Sequence, residues 1–89
     1  MNEERFLEIM SDDDIDTSPA FQKGCNIMRG LKIIEKYIPG AGIEGASHDI
    51  IFSVNVDKLV NAGITEEDAI ALRAENWMVE EDAYMACFV

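Results

Sequence analysis

The clearest hydrophobic pattern in the chain is an alternation over residues 48–56, HDIIFSVNV. Side chains of an extended chain point to two faces in turn, so one face would carry Ile50, Phe52, Val54 and Val56. β-Branched and aromatic residues at every second position are typical of a half-buried strand. We therefore predict a central β-strand whose inner face consists of these four side chains.

A helical period precedes this strand. Ser18 and Pro19 form a helix start, because serine is a good N-cap and proline suits the first helical position. Apolar residues then recur at three- and four-residue steps as far as residue 38, before a Pro-Gly pair, which predicts one long helix. Gly24 and Gly30 lie inside it, and each costs up to about 1 kcal/mol relative to alanine. Their presence indicates that another element packs closely there.

The chain after the central strand predicts a second helix and a hairpin. Residues 57–62 predict one helical turn, and Thr65 with Asp68 resembles a capping box that opens a second helix. Asn76 is predicted to be the left-handed C-cap of that helix. Residues 77–89 predict a hairpin with an acidic turn, whose second strand is YMACFV. Residues 40–45, GAGIEG, predict either a short edge strand beside the central strand or a plain loop.

These elements predict one α+β domain over residues 18–89, in the order α-β-β-α-β-β. It would contain an antiparallel sheet of three or four strands with two main helices on one face. Residues 1–17 are predicted to be an acidic, mobile N-terminal arm. Phe6, Leu7, Ile9 and Met10 could dock one helical turn weakly, but the aspartate run that follows should break it.

The charge of the chain restricts its partners. Eighteen acidic residues against seven basic ones give a net charge of -11, whereas a hydrophobic share of 48% argues against global disorder. Such a field repels nucleic acid and anionic membranes, so neither is an expected partner, but it attracts basic protein surfaces. The N-terminus has no secretory pattern and no apolar run reaches the ~20 residues of a membrane span, so we expect a cytoplasmic protein.

The carboxylates form three clusters, which we predict to be the partner-binding residues. They are Asp12, Asp13, Asp14, Asp16, Glu66, Glu67, Asp68, Glu80, Glu81 and Asp82. If the clusters share one face, their spacing would imitate a nucleic-acid backbone and fit a basic groove. The alternative is that each cluster is local chemistry: an arm, a helix N-terminus and a hairpin turn. One side of the C-terminal hairpin is a further candidate patch for a partner or a second copy.

No residue combination predicts catalysis, a metal site or a cofactor. The aspartates at 12, 14 and 16 match the first EF-hand ligands, but Thr17 and Lys23 occupy the required glycine and glutamate positions. His48 is the only histidine, and its strand neighbours point to the opposite face, so they cannot form a triad with it. Cys25 and Cys87 are expected to be small buried hydrophobes.

Three stretches of residues 30–89 carry a family resemblance: a helix opened by ITEEDAIAL, a turn NWMVEED and a strand ending in CFV. In this part the chain resembles small acidic accessory proteins of phages and prophages. The resemblance implies an inhibitor of a host enzyme such as a restriction or CRISPR nuclease, in some cases by DNA mimicry, and it carries over no functional residue. The leading hypothesis is a non-enzymatic module that binds the basic surface of a nucleic-acid enzyme. The second is a structural protein that forms homodimers or larger homo-oligomers.

Overall fold

The computed structural model describes residues 1–22, 24–80 and 83–88. Its helices are α1 Glu3–Met10, a 3₁₀ helix Ser18–Phe21, α2 Asn26–Tyr37, α3 Val56–Asn61 and α4 Glu66–Ala74. Its strands are β1 Gly45–Ser47, β2 Ile50–Asn55, β3 Trp77–Glu80 and β4 Tyr84–Phe88. The predicted α+β class is confirmed.

The four strands form one antiparallel sheet in the order β1-β2-β4-β3. A short edge strand pairs with β2, which was one of the two alternatives, but it lies at Gly45–Ser47 rather than at residues 40–45. It turns into β2 through His48, whose φ is +54°. The predicted C-terminal hairpin is present and pairs Trp77 with Cys87. Glu80, which was assigned to the turn, is the last residue of β3 and pairs with Tyr84. Glu81, Asp82 and Val89 lie outside the described residues.

The core lies between the helices and one face of the sheet, with Trp77 fully buried in it. A Cβ atom on Gly30 would lie 1.9 Å from Nε1 of Trp77, so the backbone of α2 rests directly on the indole ring. The indole N–H donates to the carbonyl of Asn26 at 3.4 Å. The close approach predicted from a glycine inside a helix is therefore present at this position.

The N-terminal segment differs from the predicted mobile arm. Helix α1 begins after Asn2, whose side chain accepts a hydrogen bond from the amide of Arg5, and it buries Phe6, Ile9 and Met10 in the core. Their three- and four-residue spacing places them on one side of the helix, so the glutamates face solvent and do not oppose burial. The aspartate run starts only after the helix has ended.

The predicted long helix is interrupted. A 3₁₀ helix begins at Ser18, so Ser18 is its first residue and not the predicted N-cap, and the side chain of the preceding Thr17 makes no capping hydrogen bond. This helix ends at Phe21, and α2 begins only at Asn26. Gly24, with a φ of +93°, lets the chain change direction between them at no steric cost. Phe21, which the periodicity placed on the inner stripe, is 64% exposed as a result.

Only two of the four side chains predicted for the inner face of the central strand lie on that face. Phe52 pairs with Ala86 and Asn55 with Tyr84, so Ser53 and Val54 together oppose one residue of β4. This β-bulge reverses the alternation. Val54 and Val56 point inward as expected, but Ile51 replaces Ile50 in the core.

Candidate functional site: the uncovered face of the sheet

The face of the sheet opposite the helices is predominantly apolar. Directly paired residues of an antiparallel sheet share a face, so the register identifies the members of this one. We call it the uncovered face, and its apolar side chains are Ile50, Phe52, Met78, Tyr84, Ala86 and Phe88. Phe88 is 46% exposed and Tyr84 36%. Phe52 pairs with Ala86, which lies between Tyr84 and Phe88 on β4 and is itself fully buried, so the three aromatic residues occupy one surface. Aromatic side chains exposed on one face are typical of a binding site.

The uncovered face has carboxylates around it. Glu80 lies on it, directly opposite Tyr84 in the hairpin. Glu44 extends the β1 edge, where its amide donates to the carbonyl of Phe52 at 2.8 Å, and Asp49 is exposed in the turn before β2. By contrast, every lysine and arginine that the structure describes lies in a helix: Arg5, Arg29, Lys32, Lys36, Lys58 and Arg73. Glu44 and Glu80 thus give the uncovered face a carboxylate rim, and its strands contain no described lysine or arginine.

A shallow hollow of about 230 Å³ opens on this face, lined by Glu44, Gly45, Phe52 and Tyr84. Gly45 pairs with Phe52, and a Cβ atom added to Gly45 would meet nothing within 4 Å. The missing side chain therefore leaves space beside the Phe52 position. The hollow is smaller than the roughly 300–1,000 Å³ of small-molecule sites, so its size fits one protein side chain better than a cofactor.

The first predicted acidic cluster lies in the loop after α1, and its members Asp12, Asp13, Asp14 and Asp16 are exposed. Two of these aspartates cap local turns: Asp12 accepts from the amide of Asp14, and Asp16 from that of Ser18, both at 2.9 Å. The hydrogen bond from the Ser18 amide lowers the pKa of Asp16. A third, Asp13, lies 4.0 Å from the guanidinium of Arg73 on α4.

The second cluster, at the N-terminus of α4, is partly neutralised within the chain. Glu66 forms an ion pair with Arg5, and that hydrogen bond lowers the pKa of the carboxyl. Asp68 accepts a hydrogen bond from Lys36 at 2.6 Å and another from the hydroxyl of Tyr37. Both bonds lower the pKa of Asp68, and the bond from Lys36 has the larger effect. The amide of Asp68 donates to the Thr65 side chain at 3.1 Å, so the predicted cap is present. Glu67 is exposed.

The three clusters therefore have different surroundings. The first cluster contacts Arg73, near the C-terminus of α4, and the second cluster forms the N-terminus of the same helix. At 1.5 Å per residue, these two positions are roughly 9 Å apart along α4. Both belong to the helical layer. Of the third cluster the structure describes Glu80 alone, and that residue lies on the uncovered face. The roles predicted for all ten carboxylates stay predictions.

Sequence reasoning missed the hollow for a specific reason. The alternation assigned Phe52 to the core, and only the bulge turns it outward. Gly45 attracted attention only as part of a glycine-rich turn, and Glu44 belonged to no cluster. Tyr84 and Phe88 were within reach, because the hairpin was already a candidate patch.

The two thiols and the histidine lie in different surroundings. Cys87 is buried, which raises the pKa of its thiol to about 11, whereas Cys25 is exposed, contrary to expectation. His48 is exposed in its turn. Across residues 1–22, 24–80 and 83–88, no group of three or more His, Cys, Asp or Glu could hold a metal ion. No helix in the same ranges is long and apolar enough to cross a membrane.

Comparison with known proteins adds no functional assignment, because no family model, no curated protein and no solved structure matches the chain.

Proposed function

We propose that this chain is a non-enzymatic protein-binding module that engages a basic partner in the cytoplasm through the uncovered face. The observation that carries the proposal is the composition of the uncovered face. It combines exposed aromatic residues with carboxylates, and its strands contain no described lysine or arginine, whereas the helices carry charges of both signs. An apolar centre inside a polar rim is the usual anatomy of a protein interface. A rim of one sign selects a partner of the other sign.

The helical-layer carboxylates have a different part in this proposal. Glu66 and Asp68 already have internal cations, so they would gain less from a partner than unpaired carboxylates. Together with the exposed Asp12–Asp14 loop they add to the net charge of -11, which accelerates encounter with a basic surface. A nucleic-acid enzyme as the partner, and DNA mimicry as the mode, stay predictions.

A homodimer built through the same face is the second candidate, because exposed apolar surface also favours self-association. Salt separates the two. Binding to a basic partner weakens as salt screens the attraction, whereas two copies with acidic rims repel, so self-association strengthens with salt.

The proposal is tested by affinity capture from a nuclease-treated bacterial lysate at low and high salt, followed by measurement of affinity for the purified captured protein. Phe88→Ser alters the uncovered face, and Ile70→Ser is its matched control, because Ile70 is similarly exposed, at 41%, but lies on α4. We expect a basic protein that binds the native chain and Ile70→Ser equally, binds Phe88→Ser at least about tenfold more weakly, and dissociates with salt.

Equal affinity for all three proteins, or affinity that salt leaves unchanged, would refute the proposal. Light scattering that shows dimers which strengthen with salt and depend on Phe88 would favour the second candidate instead.

A further inference from the structure

We propose that the hollow lined by Glu44, Gly45, Phe52 and Tyr84 receives one arginine side chain of the partner. The inference rests on the proposed function, because it takes the occupant of the hollow to be a side chain of the partner protein. The choice of arginine follows from the residues that line the hollow.

The lining of the hollow favours a cation. Phe52 and Tyr84 provide aromatic rings, whose faces attract a positive charge. Glu44 lines the same hollow, and Glu80 lies beside Tyr84 on the neighbouring strand. No described lysine or arginine lies on any strand to compete for these carboxylates. A cation entering the hollow would therefore meet two aromatic rings and an open carboxylate.

The shape of the hollow favours arginine over lysine. A guanidinium is planar, stacks on aromatic rings and pairs with a carboxylate through two parallel N–H donors, whereas an ammonium is a compact and strongly hydrated point charge. The hollow is shallow and open to water, so the ion that is more weakly hydrated has the advantage. Its volume of about 230 Å³ suits one such side chain.

Gly45 determines whether the hollow exists. It stands opposite Phe52, and its backbone conformation is one that any residue adopts. Alanine at this position should leave the fold intact while its methyl group occupies part of the space. Gly45→Ala therefore tests the hollow without removing a charge or a ring.

The experiment is an NMR titration of the isotope-labelled full chain with N-acetyl-arginine amide. N-acetyl-lysine amide and N-acetyl-citrulline amide are the comparison probes, since citrulline has nearly the shape of arginine without its charge. We expect saturable shifts of the amides of Glu44, Gly45, Phe52 and Tyr84 at millimolar arginine amide, smaller shifts with lysine and none with citrulline. Glu44→Gln and Gly45→Ala should each weaken binding about threefold, the scale of an exposed ion pair.

Glu67→Gln is the matched control, because it removes the same charge from an exposed position on α4 and should leave arginine binding unchanged. Equal shifts with citrulline, or equal loss of binding in Glu67→Gln, would overturn the proposal. The titration needs no partner, so its failure is distinct from that of the proposed function. A captured partner that binds Glu44→Gln and Gly45→Ala as tightly as the native chain would show that the hollow takes no part in binding. The proposed protein-binding function would then still hold.

Discussion

Replacing Gly30 by alanine tests the contact on which the core is built. The added Cβ atom would lie 1.9 Å from Nε1, 2.4 Å from Cδ1 and 2.6 Å from Cε2 of Trp77. Trp77 is 0% exposed, so the indole cannot move into solvent to relieve the clash. Either α2 shifts away from the sheet or the ring leaves its position, and both disturb the core.

The expected magnitude is the difference between two opposing effects. Alanine is about 1 kcal/mol better than glycine inside a helix. Overpacking a filled core costs typically 1–3 kcal/mol, and a rigid buried ring places this site at the upper end. We therefore expect Gly30→Ala to lower the free energy of unfolding by about 2 kcal/mol, which corresponds to roughly 8–16 °C in Tm for a domain of this size.

Urea unfolding followed by circular dichroism measures this effect, and a double-mutant cycle assigns it. Trp77→Leu has no atoms in place of Nε1 and Cε2, so Gly30→Ala should cost at least about 1 kcal/mol less in that background. Gly45→Ala is the control, since its Cβ meets nothing within 4 Å and its stability should change by less than about 0.5 kcal/mol. Native stability of Gly30→Ala, or an equal cost in both backgrounds, would refute the reasoning.

Three further predictions concern the N-terminal helix, an ion pair and the thiols. Phe6→Ala should cost about 3–5 kcal/mol in urea unfolding, because Phe6 is 0% exposed, whereas a mobile arm would show almost no change. The bonds from Lys36 and Tyr37 lower the pKa of Asp68, so their stabilisation is present above the pKa of an unfolded aspartate and is lost as pH falls through the folded pKa. Asp68→Asn should therefore cost about 1 kcal/mol at pH 7 and progressively less as the solution is acidified, and a cost that does not change with pH would contradict this. A thiol reagent should modify Cys25 quickly but Cys87 only on unfolding, since Cys87 is buried with a pKa of about 11; two fast thiols would exclude its burial.

Local rules predicted most of the fold. Thr65 was recognised as a cap and Asn76 as a left-handed residue, and both are so, with a φ of +64° at Asn76. The hairpin followed from the alternation around its acidic turn. Gly30 even revealed a tertiary contact, because a glycine inside a helix needs a reason. In each case one or two neighbouring residues contain the information.

What escaped prediction depends on distant partners. A bulge inserts a residue relative to another strand, so the alternation within β2 cannot reveal it. For the first segment, the prediction gave more weight to the acidic charge than to the spacing of Phe6, Ile9 and Met10. Whether these side chains dock depends on the space that the core of the domain leaves for them, and the segment itself does not reveal that space. The partners of Glu66 and Asp68 come from α1 and α2, far along the chain. Counting the carboxylates in the sequence therefore gave the net charge, but it did not show which carboxylates are paired with a lysine or arginine of the same chain.

The bulge at Ser53 and Val54 also divides β2 by mutational tolerance. Before the bulge, stability constrains Ile51, whereas Ile50 and Phe52 are constrained mainly by binding at the uncovered face. After it, the parity reverses, and stability constrains Val54 and also Val56, the first residue of α3. The even positions of residues 50–56 thus change from facing the surface to facing the core. A substitution scan across these residues should show tolerance switching from even to odd positions at the bulge.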